Sequence, residues 1–118
     1  MKHKLSYIQT EKRIYPMSFN INVMEEIQEE YGSIQNWGDV VDNKEGGEPK
    51  VKDLKKGLVI MINEGIDIEN EEREEKLPFV NSKQVGRIIS EVGMHEIALK
   101  IKELTVQSTK VEGESKNE

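Results

Sequence analysis

The chain contains no cysteine, and it shows neither a signal peptide nor a long apolar run. Without cysteine, disulfide bonds and thiolate metal sites cannot form, and the simplest expectation is a reducing, intracellular setting. The first four residues, Met-Lys-His-Lys, lead into alternating residues and not into the apolar stretch of a signal peptide. The longest apolar run, residues 58–62, is far shorter than the roughly 20 residues that span a bilayer. We therefore expect a cytosolic protein with no membrane contact.

Histidine, the usual side chain for proton transfer near neutral pH, occurs only twice. His3 lies at the chain end, and His95 is a lone imidazole that is best explained as a surface or half-buried helix residue. Residues 67–78 begin like a calcium-binding loop, but Glu72 stands where such a loop needs glycine and Pro78 where it needs an acid. These positions predict no metal site and no histidine-based catalysis.

Phosphate loops and nucleophile turns are also missing from the sequence. The pair Gly46-Gly47 is not followed by the Lys-Ser/Thr of a phosphate loop, and no serine stands in a Gly-x-Ser-x-Gly turn. Aromatic residues make up only 5% of the chain, which does not suggest a lined substrate cleft. We expect no catalytic residue and no cofactor, so an enzyme is the least favoured class.

The charge balance is acidic, with 17 basic and 23 acidic residues and a formal net charge of −6. Nucleic-acid binding usually needs a basic surface, so DNA and RNA are poor first candidates for a partner. The chain is 35% hydrophobic and 34% charged, which is more polar than an average globular domain. Part of the chain is therefore expected to lie outside the packed core, and 118 residues fit a single domain.

From residue 20 onward, apolar residues recur at the three- and four-residue spacing of helices. The five predicted stripes are Ile21, Met24, Ile27, Gln28 and Tyr31; Ile34, Trp37, Val40 and Val41; Val51, Leu54, Leu58, Met61 and Ile62; Val85, Ile88, Ile89 and Val92; and Met94, Ile97, Ala98, Ile101 and Leu104. Asn20 or Asn22 is expected to cap the first helix, Gly32 to end it and Ser33 to start the second. Gly65 is the predicted end of the third.

The segment before the helices, residues 3–18, alternates weakly between apolar and polar residues. Leu5, Tyr7 and Ile14 are expected to line one side of a short strand or hairpin, with the turn at residues 10–12. The fold class predicted from these patterns is mainly α, a compact bundle of about five helices with this short extended segment.

Two charged loops and a polar tail complete the predicted organisation. Residues 43–50 contain glycine, proline and charge and predict a mobile loop, whereas residues 67–76 predict a solvated acidic loop or a frayed polar helix. Residues 108–118 have almost no apolar content and are expected to be disordered. The predicted domain therefore comprises residues 1–107.

The order of these segments resembles that of phage tail assembly chaperones. Residues 14–20 (Ile-Tyr-Pro-Met-Ser-Phe-Asn) lead into an acidic helix that closes in residues 29–33 (Glu-Glu-Tyr-Gly-Ser), as in many members of that family. The likeness continues in the apolar helix at 54–62, in the capped helix with a Val-Gly step at 81–89, and in the last helix at 94–104. The sequence departs from the family pattern in its two charged loops.

The resemblance implies a protein made in the bacterial host cytoplasm that coats the long tape-measure protein and keeps it soluble. It would leave as the tail tube polymerises and so be absent from the mature virion. The tail tube protein and further copies of the chain are additional candidate partners. Many members also exist in a longer form made by ribosomal frameshifting, and residues 108–118 would be the place for that junction.

A helical partner with an exposed apolar groove can shield the apolar face of a long helical protein. We predict this partner-binding surface between the first two helices and the third, including Tyr31, Trp37 and Leu58. The spacing of Trp37 also suits a core position, which is the simpler interpretation of it. Two other functions remain open. One is a structural tail or connector subunit, and the other is an acidic decoy that inhibits a host nucleic-acid enzyme.

Overall fold

The computed structural model of the protein describes residues 5–43 and 46–116, with side-chain environments up to residue 106. In this part of the chain a two-stranded antiparallel sheet precedes five helices, which confirms the predicted mainly α fold with a short extended N-terminal segment. The elements are β1 (Ser6–Gln9), β2 (Ile14–Met17), α1 (Ile21–Tyr31), α2 (Ile34–Asp42), α3 (Val51–Asn70), α4 (Ser82–Val92) and α5 (Met94–Lys116).

The hairpin of β1 and β2 turns where the sequence predicted, and its register places Tyr7 and Ile14 on one side, as expected. Tyr7 and Ile14 are exposed and Leu5 is half-buried, whereas Ile8 and Met17 on the opposite face are fully buried. Each strand carries apolar residues on both faces, so alternation alone could not select the face that meets the core.

The ends of α1 and α2 are formed by the residues expected to cap them. The Asn20 side chain accepts the N–H of Val23 at 3.1 Å, and the Ser33 hydroxyl accepts the N–H of Asn36 at 3.0 Å. Between the two helices Gly32 has a φ of 88°, a left-handed conformation that glycine adopts without steric cost. These caps turn the chain sharply and place α2 beside α1.

The buried stripe of α1 differs from the predicted one. Val23 and Ile27 are fully buried, whereas Ile21 is 67% exposed. Positions i and i+2 of a helix are separated by about 200° around its axis. Ile21 and Val23 therefore face opposite sides of α1, and only one of them can meet the core.

The central element is α3, which contacts β2, α1, α2 and α4. The prediction that Gly65 ends this helix was wrong, because α3 continues to Asn70. The backbone of β2 crosses the helix at Gly65, where an added Cβ would lie 2.7 Å from the carbonyl oxygen of Pro16. This glycine is therefore explained by the close approach of a neighbouring strand and not by helix termination.

The acidic segment predicted at 67–76 is divided between the last turn of α3 and an exposed loop at 71–76. The next residues, 77–80, form an extended strap along α3. Two asparagines of α3 hold it. Asn70 bonds both backbone groups of Leu77 at 2.8 and 3.0 Å, and Asn63 bonds both backbone groups of Val80 at the same two distances.

The last two helices are joined by Gly93, where the sequence predicted a break. Asn81 caps α4, and together with Gln84 it forms a capping box. Backbone helix continues through residues 108–116, where the sequence predicted a disordered tail, and residues 117 and 118 lie outside the described part. Apart from Gly113 this stretch contains no helix-breaking residue, so the packed first half of α5 can propagate into it.

One contiguous core joins side chains from the hairpin and all five helices. The Cα radius of gyration is 14.4 Å, close to the roughly 13.5 Å expected of a compact chain of this length. Of the predicted loop at 43–50, residues 44 and 45 lie outside the described part, and residues 46–50 are exposed.

Candidate functional site

The three residues predicted to contact a partner differ widely in exposure. Leu58 is 0% exposed and Trp37 is 4% exposed, while Tyr31 is half-buried. Leu58 and Trp37 fill the space between the first two helices and α3, and the groove that does open between α1 and α3 includes none of the three predicted residues. The interpretation of Trp37 as a core residue is confirmed.

Trp37 is held from two sides by α3. Its indole N–H donates to the backbone carbonyl of Asp53 at 3.0 Å. One helical turn after Asp53 on α3, the Trp37 ring covers Gly57 so closely that a Cβ on this glycine would overlap with the ring. The absence of a side chain at Gly57 therefore lets α2 lie directly on α3.

Tyr31 is bound to the same first turn of α3. Its hydroxyl donates to the Asp53 carboxylate at 2.6 Å. Burial, the hydrogen bond to Asp53 and the negative charges of Asp53 and Glu30 raise the pKa of Tyr31 above its ordinary value. Tyr31 thus fastens the end of α1 to α3 and is not poised for proton transfer near neutral pH.

An apolar groove opens instead between α2 and α5, with a volume of about 360 Å³. It lies within the range of roughly 300–1,000 Å³ typical of binding pockets. Its apolar lining comprises Ile34, Trp37, Val41, Leu54, Ala98, Leu99 and Ile101, and its polar rim comprises Asp42, His95, Lys102 and Thr105. We call it the α2–α5 groove.

The floor and the wall of the α2–α5 groove differ in exposure. Trp37, Leu54 and Ile101 are buried and form a fixed floor, whereas Leu99 on the wall is 42% exposed. From His95 to Thr105 the groove follows α5 for about 15 Å. This length matches a little under three turns of a helix laid along it, enough for apolar anchors at positions i, i+3 or i+4, and i+7.

A second groove, of about 490 Å³, runs between α1 and α3 and is charged. Glu26 and Glu29 line its α1 side, Lys52 its α3 side, and Lys56 forms an ion pair with Glu30 at 2.7 Å. Both members of that pair are about half exposed, so its contribution to stability is small, on the order of 0–1 kcal/mol. The acidic side of α1 is thus faced by lysines.

A third, shallow groove lies between α3 and α4 and is basic. It is lined by Lys55, Lys83 and Arg87 around the exposed side chain of Val51, with Gly86 at its base. We call it the basic groove. In the part of the chain that the structure describes, neither an ion pair nor a hydrogen bond involves these three cationic side chains.

The histidine and the acids left over from the sequence do not gather into a reactive cluster. His95 is exposed on the rim of the α2–α5 groove. Among residues with described side chains, no three of His, Asp and Glu stand close enough to hold a metal ion. No helix in the described ranges is long and apolar enough to cross a membrane.

The wall of the α2–α5 groove was missed by sequence reasoning. Leu99 lies outside the predicted stripe of α5, which already accounts for the inward face through Ile97, Ile101 and Leu104. The available signal was that Leu99 is apolar although it lies outside the buried stripe. Such a residue marks a second apolar face on the same helix. Val106, seven residues further on, repeats that position and is also exposed.

Comparison of the chain with protein-family models, with curated proteins and with solved structures finds no match.

Proposed function

We propose that this protein is a phage tail assembly chaperone that binds an apolar helical face of the tape-measure protein in its α2–α5 groove. The observation that carries the proposal is the groove itself, which has a buried apolar floor and an exposed apolar wall. Its length of about 15 Å suits the apolar stripe of an amphipathic helix.

The order of elements supports the proposal. The resemblance described above implies a short extended segment, an acidic helix, a central apolar helix, a capped helix and a last helix. The chain has these elements in that order, with α1 ending at Tyr31-Gly32 and the capping box of α4 at Asn81. The α2–α5 groove is formed by α2 and α5, with Leu54 of α3 in its floor.

The surface charge is also suited to the task. The formal net charge of −6 opposes non-specific association of many copies on one long partner. The groove rim carries Asp42 on one side and Lys102 on the other, so a bound helix meets both signs of charge. Binding would therefore depend mainly on apolar burial and only weakly on salt.

The distribution of acids favours this function over the acidic decoy. A decoy needs carboxylates concentrated on one folded face, yet the acids of α1 face Lys52 and Lys56 across the α1–α3 groove. The acidic loop at 71–76 follows the C-terminal end of α3 and forms a separate group. The alternative of a structural tail subunit predicts that the chain stays in the finished particle, which protein analysis of purified virions would test.

Co-expression with the long tape-measure protein of the same phage or prophage tests the proposal. The wild-type chain should keep that protein soluble and co-purify with it in several copies. Leu99→Asp places a charge on the groove wall at an already exposed position, so the fold should persist while binding is lost. When the partner binds, this charge would be buried against an apolar surface, which costs a few kcal/mol, or roughly a hundredfold in affinity.

Ile21→Asp is the matched control, because it introduces the same charge at an exposed helix position outside the groove. This variant should solubilise the tape-measure protein as the wild type does. The proposal fails if the wild-type chain leaves that protein insoluble, or if both variants behave alike while circular dichroism shows that both are folded.

A further inference from the structure

The basic groove between α3 and α4 combines three cations with an exposed apolar residue. Lys83 and Arg87 lie one turn apart on α4, and Lys55 of α3 faces them. Between them Val51 is 45% exposed, and Gly86 keeps the base of the groove open. The only acid of the groove, Glu91, accepts the backbone N–H of Glu11 at 2.6 Å. An acidic segment with an apolar side chain would match this surface in both respects.

The chain itself carries such a segment at the other end of α3. The loop at 71–76 presents four exposed glutamates, Glu71, Glu72, Glu74 and Glu75. None of the four carboxylates has an ion-pair or hydrogen-bond partner among the described residues. A few residues further on, Phe79 of the strap is 57% exposed.

The backbone of this acidic loop is fixed by its own cations. The Lys76 ammonium donates to the carbonyls of Asn70 and Arg73, and the Arg73 guanidinium donates to the carbonyl of Glu75 at 3.1 Å. Both cations are thus bonded to main-chain oxygens. The glutamate side chains are left on an ordered loop, which lowers the entropy lost on binding.

The two surfaces cannot meet within one molecule. From Lys55 to Asn70 α3 rises by about 22 Å. This separation is well beyond the roughly 8–10 Å over which exposed charges interact at physiological salt. The cations at one end of α3 and the carboxylates at the other are therefore each available to a second molecule.

We infer that the basic groove binds the acidic loop of a second copy of this chain, head to tail. Phe79 of one copy packs against Val51 of the next, and the loop glutamates pair with Lys55, Lys83 and Arg87. The contact uses two different surfaces of the same chain, so it repeats from copy to copy and builds rings or short filaments. It leaves the α2–α5 groove free and does not depend on the proposed function.

Protein is favoured over nucleic acid as the occupant of the basic groove. A nucleic acid would gain from only three cations and would approach a chain with a net charge of −6. The exposed Val51 at the centre of the groove also offers nothing to a phosphate backbone, whereas it matches the apolar side chain beside the acidic loop.

Charge reversal on each surface, followed by mixing, tests the inference. Sedimentation should show the wild-type chain associating as its concentration rises, and less so at 500 mM than at roughly 50 mM salt. Lys83→Glu/Arg87→Glu and Glu72→Lys/Glu75→Lys should each weaken association by about tenfold, since two exposed ion pairs become repulsive. An equimolar mixture of the two variants should associate again, because the reversed groove faces the reversed loop.

Glu25→Lys/Glu29→Lys is the matched control, because it changes the net charge as much as the loop variant does at exposed positions of α1. It should associate like the wild type. The inference is overturned if the wild-type chain stays monomeric at every concentration, if neither charge reversal weakens association, or if the mixture fails to recover. It is equally overturned if a labelled DNA duplex binds the basic groove of a chain that does not self-associate.

Discussion

Trp37 connects the core of the protein with its proposed binding surface. Its indole N–H is bonded to α3 and its ring lies on Gly57, yet the same ring forms part of the floor of the α2–α5 groove. The contact that fixes α2 on α3 therefore also sets the depth of the groove. Changes at Gly57 should affect both.

Gly57→Ala should destabilise the protein, although alanine normally favours helices. The new methyl group would overlap with the Trp37 ring, and overpacking of this kind costs about 1–3 kcal/mol. Gly38→Ala on α2 is the matched control, since a Cβ there meets nothing within 4 Å. It should stabilise the protein by about 0.5–1 kcal/mol. Urea unfolding followed by Trp37 fluorescence measures both, and equal effects of the two changes would refute the contact.

Tyr31→Phe should lower the free energy of unfolding by about 1–2 kcal/mol at pH 7, because it removes a hydrogen bond to a carboxylate. The wild-type protein should also lose stability as pH rises above about 10. There the unfolded chain releases the Tyr31 proton while the folded chain, with its raised pKa, still holds it. Below that pH the contribution is fully present.

The variant should therefore show a shallower loss of stability at alkaline pH than the wild type. Denaturant unfolding measured at intervals from pH 7 to pH 11 would detect the difference. Parallel pH profiles for the two proteins would contradict the role assigned to the Tyr31–Asp53 bond.

At the level of elements, the strap at 77–80 is attached to α3 as a strand is attached to its neighbour. Asn63 and Asn70 stand two turns apart on one side of α3, and each satisfies one N–H and one carbonyl of the strap. Side-chain amides thus replace the backbone groups that a helix cannot offer to a strand. This attachment also orients the acidic loop that precedes the strap.

Asn63→Ala should release the strap at its C-terminal end. It leaves both backbone groups of the buried Val80 without their partner, at a cost of about 1–3 kcal/mol. Hydrogen exchange at the Val80 amide should become faster by tenfold or more. Asn22→Ala, which removes one exposed bond to Glu64, should leave that amide protected. Unchanged exchange in Asn63→Ala would show that other contacts hold the strap.

The helices were predictable because their signals are local. The caps Asn20 and Ser33 and the break at Gly93 follow from residue type and position alone. Gly65 was misread because a glycine that admits a crossing strand and a glycine that ends a helix look the same in sequence. For a related reason the sequence did not indicate which face of the hairpin meets the core, since both faces are apolar and only tertiary packing distinguishes them.

The binding surface was less predictable than the fold. Leu58 lies in the most apolar helix and is fully buried. A strong apolar pattern of this kind indicates that a residue packs in the core, so it could not identify a residue that is exposed to a partner. Leu99 is available because it falls outside the buried stripe of α5. A groove depends on which helices become neighbours, and α2 and α5 are distant in the sequence, so local periodicity could not reveal that both line the same groove.

For the whole molecule, three surfaces with different chemistry surround one core. The α2–α5 groove is apolar, the basic groove carries cations that have no partner among the described residues, and the acidic loop lies beyond the other end of α3. Such a division lets one chain bind a long helical partner and contact its own copies through separate faces. It also predicts different salt dependence, weak for the partner and strong for self-association.

Site-specific photo-crosslinking during co-expression is the most direct measurement of partner binding in the α2–α5 groove. A photoreactive side chain at position 99 should crosslink to the tape-measure protein, and one at position 21 should not. Crosslinks from position 99 that map to the apolar stripe of a tape-measure helix would support the proposed function. No crosslink from position 99, with crosslinks from position 21 instead, would contradict it.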